Sequence, residues 1–158
     1  MISIRETQAQ DTAHIAACLG GKPEEFARQC GYGKRFFTFP ITEKQVAAFQ
    51  KTRRKGSLFF TILSDEVIVG SLELILHEGC GTIARFLIYD DYRLKGHGTA
   101  ALRLLVMHAF GELGLRKLGL GVFAFNESAL RCYEKAGFAE TGRVTIDGWP
   151  RIDMEIHA

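Results

Sequence analysis

No stretch of this 158-residue chain approaches the roughly 18 to 20 apolar residues that a membrane-spanning helix needs, so no membrane span is expected. Nor is a signal peptide expected, because Arg5, Glu6 and Asp11 break the first stretch. The four cysteines (Cys18, Cys30, Cys80 and Cys132) are widely spaced and include no C-x-x-C pair. That pattern suits reduced thiols in a cytoplasmic setting rather than a disulfide scaffold. His77 and Cys80 have ligand-like spacing, but no second pair completes a zinc site, so no metal is expected. A net charge of +2, with no basic stripe interleaved with aromatics, gives no argument for nucleic acid. No G-x-S-x-G nucleophile turn, internal repeat, linker or low-complexity segment is present. What remains is a single domain over residues 1–158, long enough to bury a core without staples.

Hydrophobic patterning then sets the elements. Ile2-Ser3-Ile4-Arg5 alternates as a first strand, and Asp11 is placed to cap a helix ended by Gly20-Gly21. Pro23 suits the start of a short helix reaching Cys30. Residues 32–40 (Tyr32, Phe36, Phe37, Phe39 and Pro40 among them) are aromatic and irregular. Thr42-Glu43-Lys44-Gln45 has capping-box spacing for a helix to about Lys55, whose charged tail Lys51 to Lys55 reads as a solvated end. Ser57 to Leu63 and Val67 to Leu76 form a hairpin, and Thr82 to Tyr89 a further strand. A long apolar helix starts at His97 and runs to about Leu113, followed by a strand from Lys117 to Ala124. A helix from Asn126 to Lys135, stopped by Gly137, and a closing hairpin around Asp147 to Pro150 complete the chain. Antiparallel strands followed by a β-α-β-α-β unit predict an α/β fold: a mixed sheet with helices on both faces.

The stretch that carries chemistry is Phe86-Leu87-Ile88-Tyr89 followed by Arg93-Leu94-Lys95-Gly96-His97-Gly98-Thr99. A helix start has unpaired N–H groups and about half a positive charge, so phosphate settles there. Glycines let the backbone approach closely, and Arg93 and Lys95 add charge. A pyrophosphate-bearing cofactor is therefore expected. Gly96-x-Gly98-x-x-Ala101 formally matches the dinucleotide fingerprint of an NAD(P)-dependent oxidoreductase, but the strand ends several residues too early. No acidic residue stands about twenty positions on to hold a ribose. Gly33-Lys34 is followed by Arg35 and lacks the upstream glycine of a phosphate loop.

Arg93-x-x-Gly96-x-Gly98 taken with Asn126-x-x-Ala129-x-x-x-Tyr133-x-Lys135-x-Gly137-Phe138 resembles the GNAT superfamily of acetyl-CoA-dependent N-acetyltransferases, over nearly the whole chain. The resemblance implies a mostly antiparallel sheet of six to seven strands with a splayed central pair. It implies acetyl-CoA as co-substrate, with backbone groups of Phe86, Leu87 and Ile88 along the pantetheine arm. The amides of Lys95, Gly96, His97, Gly98 and Thr99, beside Arg93, would hold the pyrophosphate, and Asn126 would bond the cofactor from its helix start. Tyr133 would be the general acid toward the departing sulfur, a positioned phenol of pKa ~10 facing a thiol of pKa ~8.5. Thr82 stands where many relatives carry a glutamate base, so Glu73, acting through water, is the candidate base. The implied acceptor is a primary amine on a peptide N-terminus, polyamine, aminoglycoside or small metabolite, and a homodimer is compatible with the family. A CoA-binding module without catalysis is the rival reading.

Overall fold

The computed structural model describes residues 1–158. The chain runs β1 (Ile2–Glu6), α1 (Thr12–Gly20), α2 (Glu24–Gln29), α3 (Glu43–Arg53), β2 (Ser57–Ser64), β3 (Val67–His77) and β4 (Cys80–Ile88). It continues through α4 (His97–Gly111), β5 (Lys117–Phe123), α5 (Glu127–Lys135), β6 (Ala139–Ile146) and β7 (Trp149–His157). The seven strands form one sheet in the order β1-β2-β3-β4-β5-β7-β6. All neighbours are antiparallel except β4 and β5. That mixed sheet with helices on both faces is the α/β architecture expected.

Two apolar clusters lie on the two faces. One packs α4 and α5 against the sheet through Ala101, Leu102, Leu105, Ala109 and Tyr133, meeting Ile62, Leu74, Leu118 and Met154. The other gathers Ile15 and Leu19 of α1, Ala27 of α2, Val46 and Phe49 of α3, and Tyr32 and Phe37 of the aromatic segment. Within α4 the buried positions are Gly98, Ala101, Leu102, Leu105 and Ala109, a stripe at helical spacing. The helix is less enclosed than its composition predicts: Met107 on the opposite side is 70% exposed.

Two local expectations are corrected. Asp11 does not cap α1 with its side chain. Instead the carboxylate turns into the sheet and accepts bonds from Arg5 Nη1 (2.6 Å), the Gln8 N–H (2.8 Å) and Thr61 Oγ1 (2.9 Å). Thr42 does cap α3, its hydroxyl accepting from the Gln45 N–H at 3.3 Å. The Gln45 amide, however, bonds Thr38 and Pro40 rather than reaching back to Thr42. It thereby ties the aromatic segment to the helix.

What positions a site is the junction of β4 and β5. They pair over only Cys80–Lys117, Gly81–Leu118 and Thr82–Gly119, then part. Beyond Thr82, the side of β4 that faces β5 has no ladder partner, and a wedge opens. On its other side β4 carries one extra residue: Ser71 faces Leu87 while Glu73 faces Ala84, so Arg85 and Phe86 together oppose Leu72. This bulge puts Arg85 at φ +50°, a left-handed conformation unusual for a side-chain-bearing residue.

Candidate active site

The wedge holds two adjoining cavities. The first, about 320 Å³, lies between the end of β4, the start of α4 and the start of α5. Phe86, Leu87, Ile88, Arg93, Gly96, His97, Gly98, Thr99 and Asn126 all line it. Nine of the ten residues expected at a cofactor site thus meet around one space; Lys95 alone does not line it. Lys95 is exposed, with its ammonium 6.0 Å from the centre of the Tyr92 ring.

The geometry at the helix start follows from its glycines. Gly96 precedes α4 at φ +80°, a left-handed conformation that costs other L-residues about 1 to 2 kcal/mol. The Ala100 N–H is bonded to the Gly96 carbonyl at 3.2 Å, so the amides of His97, Gly98 and Thr99 precede the intrahelical ladder. Gly98 serves a different need. A Cβ there would lie 3.1 Å from the Phe86 ring edge and 3.4 Å from the Cys132 sulfur, so the missing side chain lets α4 sit against β4 and α5. Arg93 pins the turn to the strand, its Nε donating to the Ile88 carbonyl at 2.9 Å. These three free amides beside unpaired strand edge suit an elongated ligand with an anionic end.

The second cavity, about 290 Å³, continues from the first toward the β6–β7 turn. Gln29, Cys30, Phe86, Asn126 and Ala129 border both. Asn126 caps α5, its Oδ1 accepting from the Ala129 N–H at 3.4 Å, and therefore stands at the junction. Tyr133, on the inner face of α5, lines this second cavity, with its ring 5.8 Å from that of Phe86. Burial pushes the Tyr133 phenol well above its ordinary range, so it remains protonated. The same surroundings push the Cys30 thiol up to about 12.

Glu73, expected to act on an acceptor through water, lines neither cavity. Its side chain is 0% exposed. Oε1 accepts from Arg85 Nε at 2.6 Å, and Oε2 from Arg53 Nε at 2.8 Å and Ser57 Oγ at 2.6 Å. The physical reason is position in the sheet: this face of β3 is covered by α3, which brings Arg53, read from sequence as part of a solvated tail, over the carboxylate.

Sequence reasoning missed a cluster on the second cavity. Its charged lining residues are Arg28, Arg85 and Arg151, without a carboxylate. Arg28 stacks on Trp149, its guanidinium carbon 3.5 Å from the ring centre, and donates from Nη2 to the carbonyls of Ile146 and Asp147 at 3.2 Å each. Trp149 packs edge-on against Phe123 and Phe125. These residues are far apart in the chain, and the one local signal was Trp149 beside the last turn. The irregular aromatic segment 32–40 lines neither cavity: Tyr32 and Phe37 are core, and residues 28–31 wall the second cavity instead.

The uncharacterized N-acetyltransferase YycN of Bacillus subtilis (strain 168) is 46% identical over 56 residues, covering 35% of each chain. For it and two other B. subtilis relatives, the matched stretches span 35%, 50% and 62% of the relatives' own lengths. The fold is that of spermidine N-acetyltransferase from Vibrio cholerae, crystallised with CoA and spermine. The TM-score is 0.81 at 18% identity, over 99% of this chain and 95% of that one. Aminoglycoside acetyltransferase AAC(6')-Ib, in complex with coenzyme A, gives 0.79 at 20% identity, over 99% and 95%. Residues 32–138, which carry the parted strands, the glycine turn and both motif helices, match the acetyltransferase (GNAT) family, and the chain belongs to that family.

Proposed function

We propose that this protein transfers an acetyl group from acetyl-CoA to a primary amine by direct attack, with both substrates bound together. The observation that carries the reading is the meeting of two cavities at Phe86 and Asn126, with free helix-start amides in one and the Tyr133 phenol in the other. His97, Gly98 and Thr99 would hold the pyrophosphate, and the unpaired edge of β4 around Phe86 to Ile88 would take the pantetheine arm. When bound, the cofactor supplies an activated acetyl group as a thioester.

The amine nitrogen would form a C–N bond to the acetyl carbon as the C–S bond breaks; the sulfur would take a proton from an acid, and the proton lost by the nitrogen would restore that acid. A backbone N–H near Leu87 would face the carbonyl oxygen as it gains charge, a donor type worth about 3 to 4 kcal/mol. Tyr133 would give the proton to sulfur. A phenol held above its usual pKa is a weak acid, but the burial that raises it would raise a thiol beside it too, as it does for Cys30 on the same cavity. A thiolate made there is a correspondingly stronger base, so the transfer is matched.

Loss of the amine's proton would not need Glu73, which lines neither cavity. The guanidiniums of Arg28, Arg85 and Arg151 surround the acceptor cavity, and nearby positive charge disfavours an ammonium. The amine would enter with a lowered pKa and lose its proton to solvent without a dedicated carboxylate. Glu73 instead would hold Arg85 in place. The test is CoA release from acetyl-CoA across a panel of primary amines, beside calorimetric titration with CoA. Turnover with at least one amine is expected; tight CoA binding without turnover on any would make the chain a binding module and overturn the proposal.

A further inference from the structure

We infer that the acceptor carries an oxyanion, a carboxylate or a phosphate, alongside its amine, and that Arg28, Arg85 and Arg151 form the subsite that receives it. The inference rests on the transferase reading above and names the substrate class of that same site.

Each guanidinium is held by part of its fork and keeps the rest free. Arg85 donates from Nε to Glu73 (2.6 Å) and from Nη1 to the Gly31 carbonyl (2.9 Å), leaving Nη2 without a partner. Arg151 donates from Nε to Asp153 Oδ1 (2.9 Å), leaving both terminal nitrogens. Arg28 uses only Nη2, on two carbonyls, and has no carboxylate within 4.0 Å. Its orientation is set by the face of Trp149 at 3.5 Å, a contact that leaves the guanidinium edge available.

Room for this arrangement is built into the backbone. The Arg151 side chain crosses Gly121, where a Cβ would meet its Cδ at 2.6 Å. Arg85 is aimed by the bulge in β4, and a Cβ on Gly31 would strike its Cγ at 2.7 Å. Charge does not balance locally. With Arg53 counted, four guanidiniums (Arg28, Arg53, Arg85 and Arg151) meet two carboxylates, Glu73 and Asp153, neither of which lines the cavity. Fixed forks with free donors are the arrangement that takes carboxylate or phosphate bidentately. A polycation would instead bring a second ammonium against three guanidiniums, a like-charge contact that costs affinity.

The experiment compares primary amines of similar length that differ in the far group: butylamine, 4-aminobutyrate, 2-aminoethyl phosphate and putrescine, with CoA release as readout. The expected kcat/KM is at least tenfold higher for the better of the two anionic amines than for putrescine, with butylamine between. The two anionic arms tell carboxylate from phosphate. In Arg28→Met, KM for the preferred anionic amine should rise about tenfold while acetyl-CoA affinity by calorimetry stays the same, since Arg28 does not line the first cavity. Arg151→Met should act in the same direction through KM. Putrescine as the best substrate, or an Arg28→Met effect equal for all four amines, overturns the oxyanion subsite and leaves the transferase reading standing. Acetyl-CoA binding without turnover on any amine overturns both.

Discussion

At the scale of single residues, Tyr133 and Glu73, both read from sequence as catalytic candidates, part company: one lines the second cavity and the other lines neither. Tyr133 keeps its place at the cavity, and its raised pKa has a kinetic consequence. An acid must be protonated to act, and a phenol pushed above its ordinary range stays protonated through alkaline pH. The kcat profile should therefore show no alkaline fall up to pH about 10, the ordinary tyrosine value. Tyr133→Phe should lower kcat roughly 10²-fold with acetyl-CoA affinity within about twofold. Steady-state kinetics with calorimetry checks both, and wild-type turnover in the variant removes the acid role. Glu73→Gln makes the opposite test. Removing the charge leaves Arg53 and Arg85 facing a neutral amide in a buried site, a change that costs about 3 to 5 kcal/mol. For a chain of this size that is a Tm fall of about 6 to 20 °C, read by thermal melting. A base role predicts in addition a lost acidic limb in the kcat profile, which a purely structural role would leave in place.

At the scale of elements, the glycine turn was legible because its signals are local. Residues within about a dozen positions end a strand, turn and start a helix, and each step has a composition cue: Tyr89, Gly96, then the apolar stripe of α4. The same holds for α5, where Asn126 caps and Gly137 follows at φ +104°. Illegible were the features made by elements meeting. Arg53 reads as one cation in a charged tail until α3 is laid across β3 and finds Glu73. Asp11 reads as a helix cap until Arg5, six residues before it, and Thr61, fifty residues after it, compete for its oxygens. The bulge in β4 has no sequence signal, since Arg85 at φ +50° is held by its bonds to Glu73 and Gly31 rather than by its own preference. The arginine subsite was hidden for the same reason: it joins α2, β4, β7 and the β6–β7 turn.

At the scale of the molecule, the wedge is also the structure's mechanical seam. Strands β1 to β4 form one half of the sheet and β5 to β7 the other, and three parallel pairs between β4 and β5 are their hydrogen-bonded link. Further coupling runs through α4 and α5, which pack against both halves, and through Arg28 of α2, which bonds the Ile146 and Asp147 carbonyls. Beyond Thr82 the backbone groups of β4 that face β5 bond to no strand, so exchange of their amides is limited by water access rather than by a ladder. A ligand lying along β4 with its anion on the α4 amides would supply the missing partners and bridge the halves. Hydrogen exchange should then show CoA-dependent protection at residues 84–88 and 97–99 and little change in β1, which lies at the far edge of the sheet. Binding to the folded state alone would add about 2.7 kcal/mol at a hundredfold excess over Kd, a Tm rise of about 5 to 11 °C that grows with CoA concentration. Protection confined to the second cavity, around residues 28–31 and 149–151, would mean that the cofactor enters from the other end, and the assignment of the α4 amides would fall.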